Sequence, residues 1–332
     1  MKKTAIKAYF DVGTSNMRLY LLDGQLEVLY SAKRNVGARN AALENDSQLM
    51  IRNMKLLLDE TLAVAGYAEE QLDTIYASGM VTSRYGVMEV PHLQVPASEE
   101  DLVKGMVCFR DPRYFSQPLW LIPGLKAVGT DSIDANIVRG EEIESFGSME
   151  MLDGLGFRGD VALILPGSHT QILYIRNGSI VDILSTFTGE LFCALREETI
   201  LADLLSRKIE TLDPLFVRMG RDYAQEQGFN RALYICNAMQ ALGKHRIHHQ
   251  YAYAEGVIHS GVATALAHKC AVSWKGCSTV AVAGDAFQNQ LYGALLADNP
   301  YIQEIIWLPL CARESYGVKG LRRILRTKGE TS

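Results

Sequence analysis

The chain has no long hydrophobic run, no closely spaced cysteine pair and no basic stripe. Its longest apolar run, VALILP at 161–166, is far shorter than the roughly 20 residues that cross a bilayer. The six cysteines form no CxxC pair, which favours reduced core residues over a disulfide framework. A net charge of −5 without a basic stripe argues against a nucleic-acid partner. The opening MKKTAIK is basic, but Lys7 and Asp11 break the apolar stretch of a signal peptide, so we expect a cytoplasmic protein.

What the sequence does contain is the balance of a globular protein, with 48% hydrophobic and 21% charged residues. Each half opens with three strands joined by tight glycine turns and continues with helices and strands. Helical spacing predicts helices over about 41–66 and 139–147, and the proline-containing stretch 85–118 is less regular. We therefore predict an α/β fold of two duplicated domains, at 1–155 and 156–332, with a central cleft.

The stretch FDVGTSNMRLYLLDG, residues 10–24, predicts a hairpin whose turn carries more polar groups than chain reversal needs. Hairpin turns favour Gly and Asn because both tolerate positive φ. Here a carboxylate, Asp11, precedes the turn and a cation, Arg18, follows it. The turn itself is Gly13, Thr14, Ser15 and Asn16. These groups predict a phosphate-binding loop with Asp11 holding Mg²⁺ through water, and the alternative is a purely structural hairpin.

Two further turns fit the same interpretation. In the second half, LPGSHTQILYI repeats a small, hydroxyl-rich turn at the equivalent place. Its residues are Gly167, Ser168, His169 and Thr170. Later, VAVAGDAFQNQ places Gly284 and Asp285 between a strand and a helix, which suits an adenosine pocket. Asp285 as an ordinary helix N-cap is the alternative there.

Together these features resemble the actin/hexokinase/Hsp70 superfamily of ATP-dependent phosphotransferases. Five segments resemble the 2-dehydro-3-deoxygalactonokinase family more specifically. They are SGMVTSRYGVMEVPHLQVPA, LWLIPGL, VRGEE, LPGSHTQ and STFTGELF. The resemblance implies two ribonuclease H-like (actin-like ATPase) domains. It also implies that ATP and Mg²⁺ serve to phosphorylate the sugar acid 2-keto-3-deoxygalactonate at its 6-hydroxyl in bacterial galactonate breakdown.

The resemblance also implies roles for single residues. Gly79, Thr82, Ser83 and Arg84 of the GMVTSR block are the expected sugar-acid residues. Because Arg suits a carboxylate, Arg84 is the candidate that binds the acid group, and a surface Arg paired with Glu89 or Glu99 is the alternative. Thr188 and Glu190 are counted with the substrate residues, near the phosphate or domain-interface side.

The catalytic base is expected in DANIVRGEEIESFG, which contains four acids. In the related glycerol- and xylulose-kinase group the base directly follows a Gly that opens a helix, with a second Gly about two turns later. Gly140 and Gly147 provide that frame, so the resemblance implies Glu141 as the base, with Asp134 as the runner-up.

Two other functions are left as alternatives. One is a kinase for another sugar acid or polyol, and the other is a non-catalytic ATP-binding actin-like protein. In each case we expect small-molecule ligands, no nucleic acid and no membrane partner, and a homodimer is left undecided.

Overall fold

Three antiparallel strands at the start of the chain begin the first of two similar sheets. The computed structural model describes residues 5–46, 48–129, 132–310 and 314–329, which divide into two units. Of these described residues, unit 1 holds those within 5–158, 178–182 and 314–329. Unit 2 holds 159–177 and 183–310.

Unit 1 starts with strands and helices that alternate up to residue 154. The strands are β1 (Ile6–Val12), β2 (Met17–Leu22), β3 (Val28–Arg34), β4 (Leu72–Gly79), β5 (Leu93–Gln94), β6 (Val107–Phe109), β7 (Leu119–Leu121), β8 (Leu125–Ala127) and β9 (Asn136–Val138). The helices are α1 (Ala38–Glu44), α2 (Leu49–Ala65), α3 (Glu99–Gly105) and α4 (Glu141–Gly154). Short 3-10 turns lie at Glu69–Gln71, Met80–Thr82 and Ser132–Asp134.

The main sheet of unit 1 has the strand order β3-β2-β1-β4-β7-β6. β1 runs antiparallel to β2, with Asp11 opposite Arg18, and parallel to β4, with Val12 beside Gly79. Because β1 is central, six of its seven residues are buried, and Asp11 is the exception. The ends of β1 and β4 meet at one edge of the sheet, so Asp11 and Gly79 lie at that edge.

Helix α2 follows from its apolar spacing. Met50, Met54, Leu58 and Leu62 recur every fourth residue and are buried in the same core as Phe10. The helix ends at Gly66, which adopts a φ of +76° that few other residues tolerate. The stretch predicted as one helix over 41–66 is two helices, α1 and α2, separated by a break near residue 46.

Unit 2 repeats the pattern with more helices. Its elements are β10 (Val161–Leu165), β11 (His169–Arg176), β12 (Ser179–Phe187), α5 (Gly189–Glu198), α6 (Ala202–Leu205), α7 (Pro214–Gln227), α8 (Phe229–Ala241), α9 (Ile247–Ile258), α10 (Ser260–Val272), β13 (Thr279–Ala283), α11 (Ala286–Leu296) and β14 (Glu304–Leu308). Residues 179–182 of β12 are counted with unit 1. The sheet order is β12-β11-β10-β13-β14. In both units the third, second and first strands are followed by a fourth that pairs parallel with the first. This recurrence confirms the predicted α/β fold of two duplicated ribonuclease H-like (actin-like ATPase) domains.

The last helix, α12 (Tyr316–Thr327), packs with unit 1. A Cβ atom on Gly320 would lie 1.9 Å from the carbonyl oxygen of Ile143 in α4, so the two helices cross in backbone contact. The partition therefore differs from a second domain over 156–332. Basic side chains of α12 form ion pairs within unit 1, since Arg323 pairs with Glu99 and Asp153.

Five of the six cysteines lie among the described residues. Cys236, Cys270 and Cys277 are buried, Cys108 and Cys193 are partly exposed, and Cys311 lies outside the described residues. Within the described part of the chain, no helix is both long and apolar enough to cross a membrane.

Candidate active site

The predicted phosphate loop of unit 1 is a short connection between β1 and β2. The Gly13 N–H donates to the Asn16 carbonyl at 2.8 Å, which closes the turn. None of its four residues has a positive φ, so the turn does not use the backbone freedom that Gly and Asn offer. The carbonyls of Gly13 and Thr14 accept the N–H groups of Ala38 and Arg39, at 3.3 and 2.9 Å. The first turn of α1 therefore holds the loop through its carbonyl groups.

Asp11 and Arg18 flank this loop as an ion pair. The Arg18 Nη1 donates to Asp11 Oδ2 at 3.2 Å, with 45% of the arginine side chain and 18% of the aspartate side chain exposed. Burial raises the pKa of the Asp11 carboxyl, and the Arg18 charge opposes that rise. The pair keeps one carboxylate and one cation beside the loop.

Helix α4 brings two glutamates into the electrostatic field of Asp11. Burial raises the pKa of Glu141 to about 7, with a further rise from Asp11 and an opposing effect of the backbone N–H groups that its carboxylate accepts. One of these is the Arg139 N–H, at 3.1 Å from Glu141 Oε2. Burial, Asp11 and Glu141 together raise the pKa of Glu144 to about 8. Glu141 and Glu144 are three residues apart and share a helix face with Asp11 nearby.

The start of α4 is fixed by Gly140 and Glu142. Gly140 has a φ of +112°, and a Cβ there would lie 3.5 Å from the Cα of Gly79 at the end of β4. Both carboxylate oxygens of Glu142 accept the Gly140 N–H, at 3.0 and 2.8 Å. Glu142 is fully buried, and burial together with the Glu141 charge raises its pKa well above the usual range. Glu142 therefore caps the helix, while Glu141 stays partly exposed.

The runner-up base lies elsewhere in the same unit. Asp134 ends the 3-10 turn at Ser132–Asp134 and its side chain is exposed. Its carbonyl accepts the side-chain amide of Asn136 at 3.1 Å. Asp11 therefore acts electrostatically on Glu141, whereas Asp134 lies on an exposed turn before β9.

The predicted sugar-acid block follows directly after β4. Thr82 is fully buried, and its hydroxyl donates to the Gly79 carbonyl at 3.0 Å. The Ser83 hydroxyl donates to the Met80 carbonyl at 2.8 Å, so both hydroxyls stabilise the 3-10 turn that follows the strand. Arg84 is exposed and its guanidinium lies 4.6 Å from the ring centroid of Tyr85. Among the described residues it has no carboxylate within ion-pair distance, and Glu99 pairs with Arg323 instead.

The sequence interpretation missed Arg139, which lies inside the quoted VRGEE segment. Its Nη1 donates to the Thr82 hydroxyl at 2.6 Å and its Nη2 to the Val90 carbonyl at 3.0 Å. These partners are 57 and 49 residues away in the chain, so spacing gave no signal for them. The one sequence signal for Arg139 was its place in the VRGEE segment, after the sugar-acid block and two residues before Glu141.

The second predicted phosphate loop connects β10 and β11 in unit 2. Its Ser168 carbonyl accepts the Glu190 N–H at 2.8 Å, as the Thr14 carbonyl accepts an α1 N–H in unit 1. Gly167 and Ser168 are exposed. The His169 Nε2 lies 3.3 Å from Glu190 Oε2, so these two predicted residues form a pair at the loop.

Thr170 is buried behind this loop. Its hydroxyl forms hydrogen bonds with the hydroxyls of Thr188, at 2.9 Å, and Tyr292, at 2.7 Å. Both predicted threonines are at most 2% exposed, so they hold the loop against α5 and α11. The structure therefore places Thr188 beside the predicted phosphate loop of unit 2.

A cavity of about 260 Å³ lies beside this loop within unit 2. Gly167, Thr170, Asp285 and Tyr292 are among its lining residues, so two of the predicted nucleotide segments border one space. Asp285 also caps α11, since its side chain accepts the Gln288 N–H at 2.8 Å. Asp285 is thus an N-cap at the cavity wall, and its place in an adenosine pocket stays a prediction.

Sequence reasoning missed the acidic wall of this cavity. Glu255 and His259, one helical turn apart in YAYAEGVIHS, both line it, with His259 Nδ1 at 3.2 Å from Glu255 Oε2. Burial raises the pKa of Tyr251, and the nearby Glu255 charge adds to this rise. The Glu–His spacing was the available signal, but a single pair four residues apart is common on helices.

The donor set beside the first loop is compatible with Mg²⁺. Mg²⁺ prefers oxygen ligands and commonly takes one or two carboxylates, with water and phosphate oxygens completing the shell. Asp11 offers such a carboxylate, which is partly exposed beside the loop. In the described ranges, no group of three or more His, Cys, Asp or Glu side chains is arranged to hold a metal by itself.

The chain matches a sequence family, a named relative and a solved structure, among other proteins. The sequence model of the family described as 2-keto-3-deoxy-galactonokinase matches residues 11–306. A relative from Rhizobium meliloti (strain 1021), named "Probable 2-dehydro-3-deoxygalactonokinase DgoK1", is 25% identical over 195 residues. That match spans 59% of this chain and 58% of the relative, so it reaches little more than half of either protein.

The third match is to a solved structure. It is described as "a putative 2-dehydro-3-deoxygalactonokinase protein from Sinorhizobium meliloti". It is 19% identical, has a TM-score of 0.75, and the match covers 96% of this chain and 97% of that one. At this identity the likeness shows a shared fold over nearly the whole chain.

Proposed function

We propose, since the chain belongs to the 2-keto-3-deoxy-galactonokinase family, that it transfers the γ-phosphoryl group of ATP to the 6-hydroxyl of 2-dehydro-3-deoxy-D-galactonate. The observation that carries this proposal is the position of Glu141. It is a partly exposed carboxylate at the first residue of α4, near Asp11, with a pKa of about 7. A base with such a pKa accepts a proton near neutral pH and releases it again easily. This reaction would serve galactonate breakdown.

In the proposed reaction, Glu141 takes the proton of the acceptor hydroxyl. The hydroxyl oxygen forms a bond to the γ-phosphorus, and the bond to the β,γ-bridging oxygen breaks and releases ADP. Phosphoryl transfer requires positioning and charge neutralisation more than covalent chemistry by the protein. The reaction also requires a group that accepts the hydroxyl proton, and a carboxylate base at the hydroxyl would be that group.

Unit 1 would supply groups for the phosphates. The loop Gly13 to Asn16 is fixed by its contacts with α1, so its donors are already in place before a ligand arrives. Arg18 would neutralise phosphate charge, and Asp11 would hold Mg²⁺ through water. When bound, Mg²⁺ neutralises charge on the phosphate oxygens of the nucleotide.

Unit 2 would bind the nucleotide. The exposed backbone of Gly167 and Ser168 is proposed to bind phosphate oxygens, with His169 beside it. The nucleoside would occupy the cavity lined by Gly167 and Asp285, the N-cap of α11, with Gly284 directly before this N-cap. Buried Thr170 would act indirectly, by holding the loop through Thr188 and Tyr292.

The test is a coupled assay of ADP formation with Mg²⁺-ATP and a panel of sugar acids, sugars and polyols. We expect the highest kcat/KM with 2-dehydro-3-deoxy-D-galactonate and a product phosphorylated at its 6-hydroxyl, identified by NMR. Preference for another acceptor would leave a kinase with a different substrate. Tight ATP binding without turnover of any acceptor would refute the enzyme and favour a non-catalytic ATP-binding protein.

A further inference from the structure

Arg139 is held in unit 1 by neutral acceptors alone. Its Nη1 donates to the Thr82 hydroxyl at 2.6 Å. Its Nη2 donates to the Val90 carbonyl at 3.0 Å and lies 3.4 Å from His92 Nδ1. A guanidinium has five N–H donors, so the Nε–H and the second N–H of Nη1 have no acceptor among the described residues. These contacts fix the orientation of the guanidinium and leave two of its N–H donors for a ligand.

The charge of this partly buried arginine is also left without a close carboxylate. Within the described ranges no Asp or Glu oxygen lies within ion-pair distance of Arg139. Glu142 and Glu89 act on it electrostatically, but Glu142 is buried and binds the Gly140 N–H with both oxygens. A partly buried cation without an ion pair is costly, because burial removes the water that would otherwise stabilise it. An anionic ligand would compensate this cost.

His92 adds a second unpaired donor to the same group. Because a guanidinium only donates, His92 Nδ1 must be the acceptor, which leaves the proton on Nε2. The Nε2 atom is buried and has no hydrogen-bond partner. Burial and the charges of Arg139 and Lys126 lower the pKa of His92 to about 4, so the ring is neutral at pH 7. The cluster therefore offers donors and lacks acceptors.

We propose that the Arg139 guanidinium binds the carboxylate of the sugar-acid substrate, a role that rests on the kinase function proposed above. The Thr82 hydroxyl that its guanidinium contacts is in the predicted sugar-acid block. The backbone N–H of Arg139 donates to Glu141, the proposed base. Arg84, the arginine expected from sequence, is exposed and rests on the Tyr85 ring, so nothing fixes it toward a ligand in this way. The acid group would thus be recognised by an arginine that precedes the base by two residues.

The test compares the sugar acid with its carboxamide, which keeps the 6-hydroxyl and lacks the charge. Both are assayed with wild type, Arg139→Lys and Arg139→Gln. For each variant we expect the preference for acid over amide to fall about tenfold or more, through the KM of the acid. The kcat/KM for the amide and the KM for ATP should stay within about twofold of wild type. Arg110→Lys, an exposed arginine of the same unit, is the matched control.

Several outcomes would overturn this assignment. An unchanged acid preference in both variants would do so, as would a loss that affects acid and amide equally, because that indicates a structural role. Loss of the preference in Arg84→Lys instead would assign the carboxylate to Arg84. Calorimetric titration of acid and amide separates the two proposals, since it needs no turnover. Selective loss of acid binding in Arg139→Lys supports the arginine site even if no acceptor is phosphorylated.

Discussion

Gly37 lies so close to Thr14 that a Cβ atom on Gly37 would be 2.4 Å from the Thr14 carbonyl oxygen. Unit 2 repeats the relationship, since a Cβ on Gly189 would be 2.4 Å from the carbonyl oxygen of Gly167. In each unit a glycine after the third strand lets the next helix approach the loop between the first two strands. The duplicated contact indicates that both loops depend on a backbone approach that any side chain would block.

Gly37→Ala is expected to displace the loop at Thr14. Inserting a methyl group against a packed backbone typically costs about 1–3 kcal/mol, and here the shift falls on the proposed phosphate loop. We expect a higher KM for ATP and a lower melting temperature, measured by steady-state kinetics and circular dichroism. Gly24→Ala is the matched control, because a Cβ there meets no atom within 4 Å. Normal ATP kinetics in Gly37→Ala would show that the loop does not contact the nucleotide.

Asp11→Asn is expected to leave the fold intact and remove nearly all Mg²⁺-dependent turnover. The amide has the shape of the carboxylate but lacks the charge that attracts a hard cation. The measurements are a thermal melt and kcat over a range of Mg²⁺ concentrations. Asp73→Asn is a matched control, since Asp73 also pairs with a cation, Lys7, in the same sheet. A folded Asp11→Asn enzyme with near-normal kcat would contradict the proposed role.

Sequence patterns predicted the elements whose signal is local. The two hairpins, the buried strands and the late strand–helix turn all lie where apolar runs and glycine turns place them. By contrast, β5, β8 and β9 have only two or three residues each, too few for a period to be read. The stretch 85–118 looked irregular for the same reason, because its strands β5 and β6 have two and three residues and its helix α3 has seven.

What the sequence could not predict depends on contacts between distant residues. Arg323 binds Glu99, 224 positions away, and this pairing helps hold the last helix in unit 1. Arg139 likewise finds its partners in a segment about 50 residues earlier. Motifs identified the candidate loops, but only the folded structure distinguishes a hydroxyl residue that is exposed, such as Ser15, from one that is buried, such as Thr170.

Glu144→Gln is expected to change how stability depends on pH. The pKa of Glu144 is raised to about 8 in the folded protein, so the folded state binds more protons than the unfolded state between about pH 4.5 and pH 8. The free energy of unfolding contributed by this group is therefore fully present below its unfolded pKa and is lost as pH rises through about 8. Because glutamine cannot ionise, Glu144→Gln should not show this loss of unfolding free energy at high pH.

The measurement is urea unfolding from about pH 5 to about pH 9, with Glu100→Gln as the control. Glu100 is an exposed helix acid paired with Lys104, so its substitution should leave the pH dependence unchanged. We expect the free energy of unfolding to decline less steeply with pH in Glu144→Gln than in wild type. Equal slopes in both proteins would mean that Glu144 ionises normally in the fold.

Glu141→Gln is expected to bind both substrates and to lose on the order of 10²–10⁴ in kcat, the usual contribution of a positioned general base. The pH profile gives a second readout, because a base with a pKa of about 7 must be deprotonated to act. The wild-type rate should therefore rise with pH through about 7, and this rise should be absent in Glu141→Gln. Steady-state kinetics from about pH 5.5 to about pH 8.5 measure both effects.

The neighbouring acids provide the matched variants for this last prediction. Glu142→Gln and Glu144→Gln should cost far less in kcat, because Glu142 is fully buried against the Gly140 N–H and Glu144 lies one turn further along α4. Asp134→Asn should also stay active, since Asp134 is exposed on the 3-10 turn that precedes β9. If Asp134→Asn loses activity while Glu141→Gln keeps both its rate and its pH profile, the base is Asp134. The kinase function would then stand with a different proton acceptor.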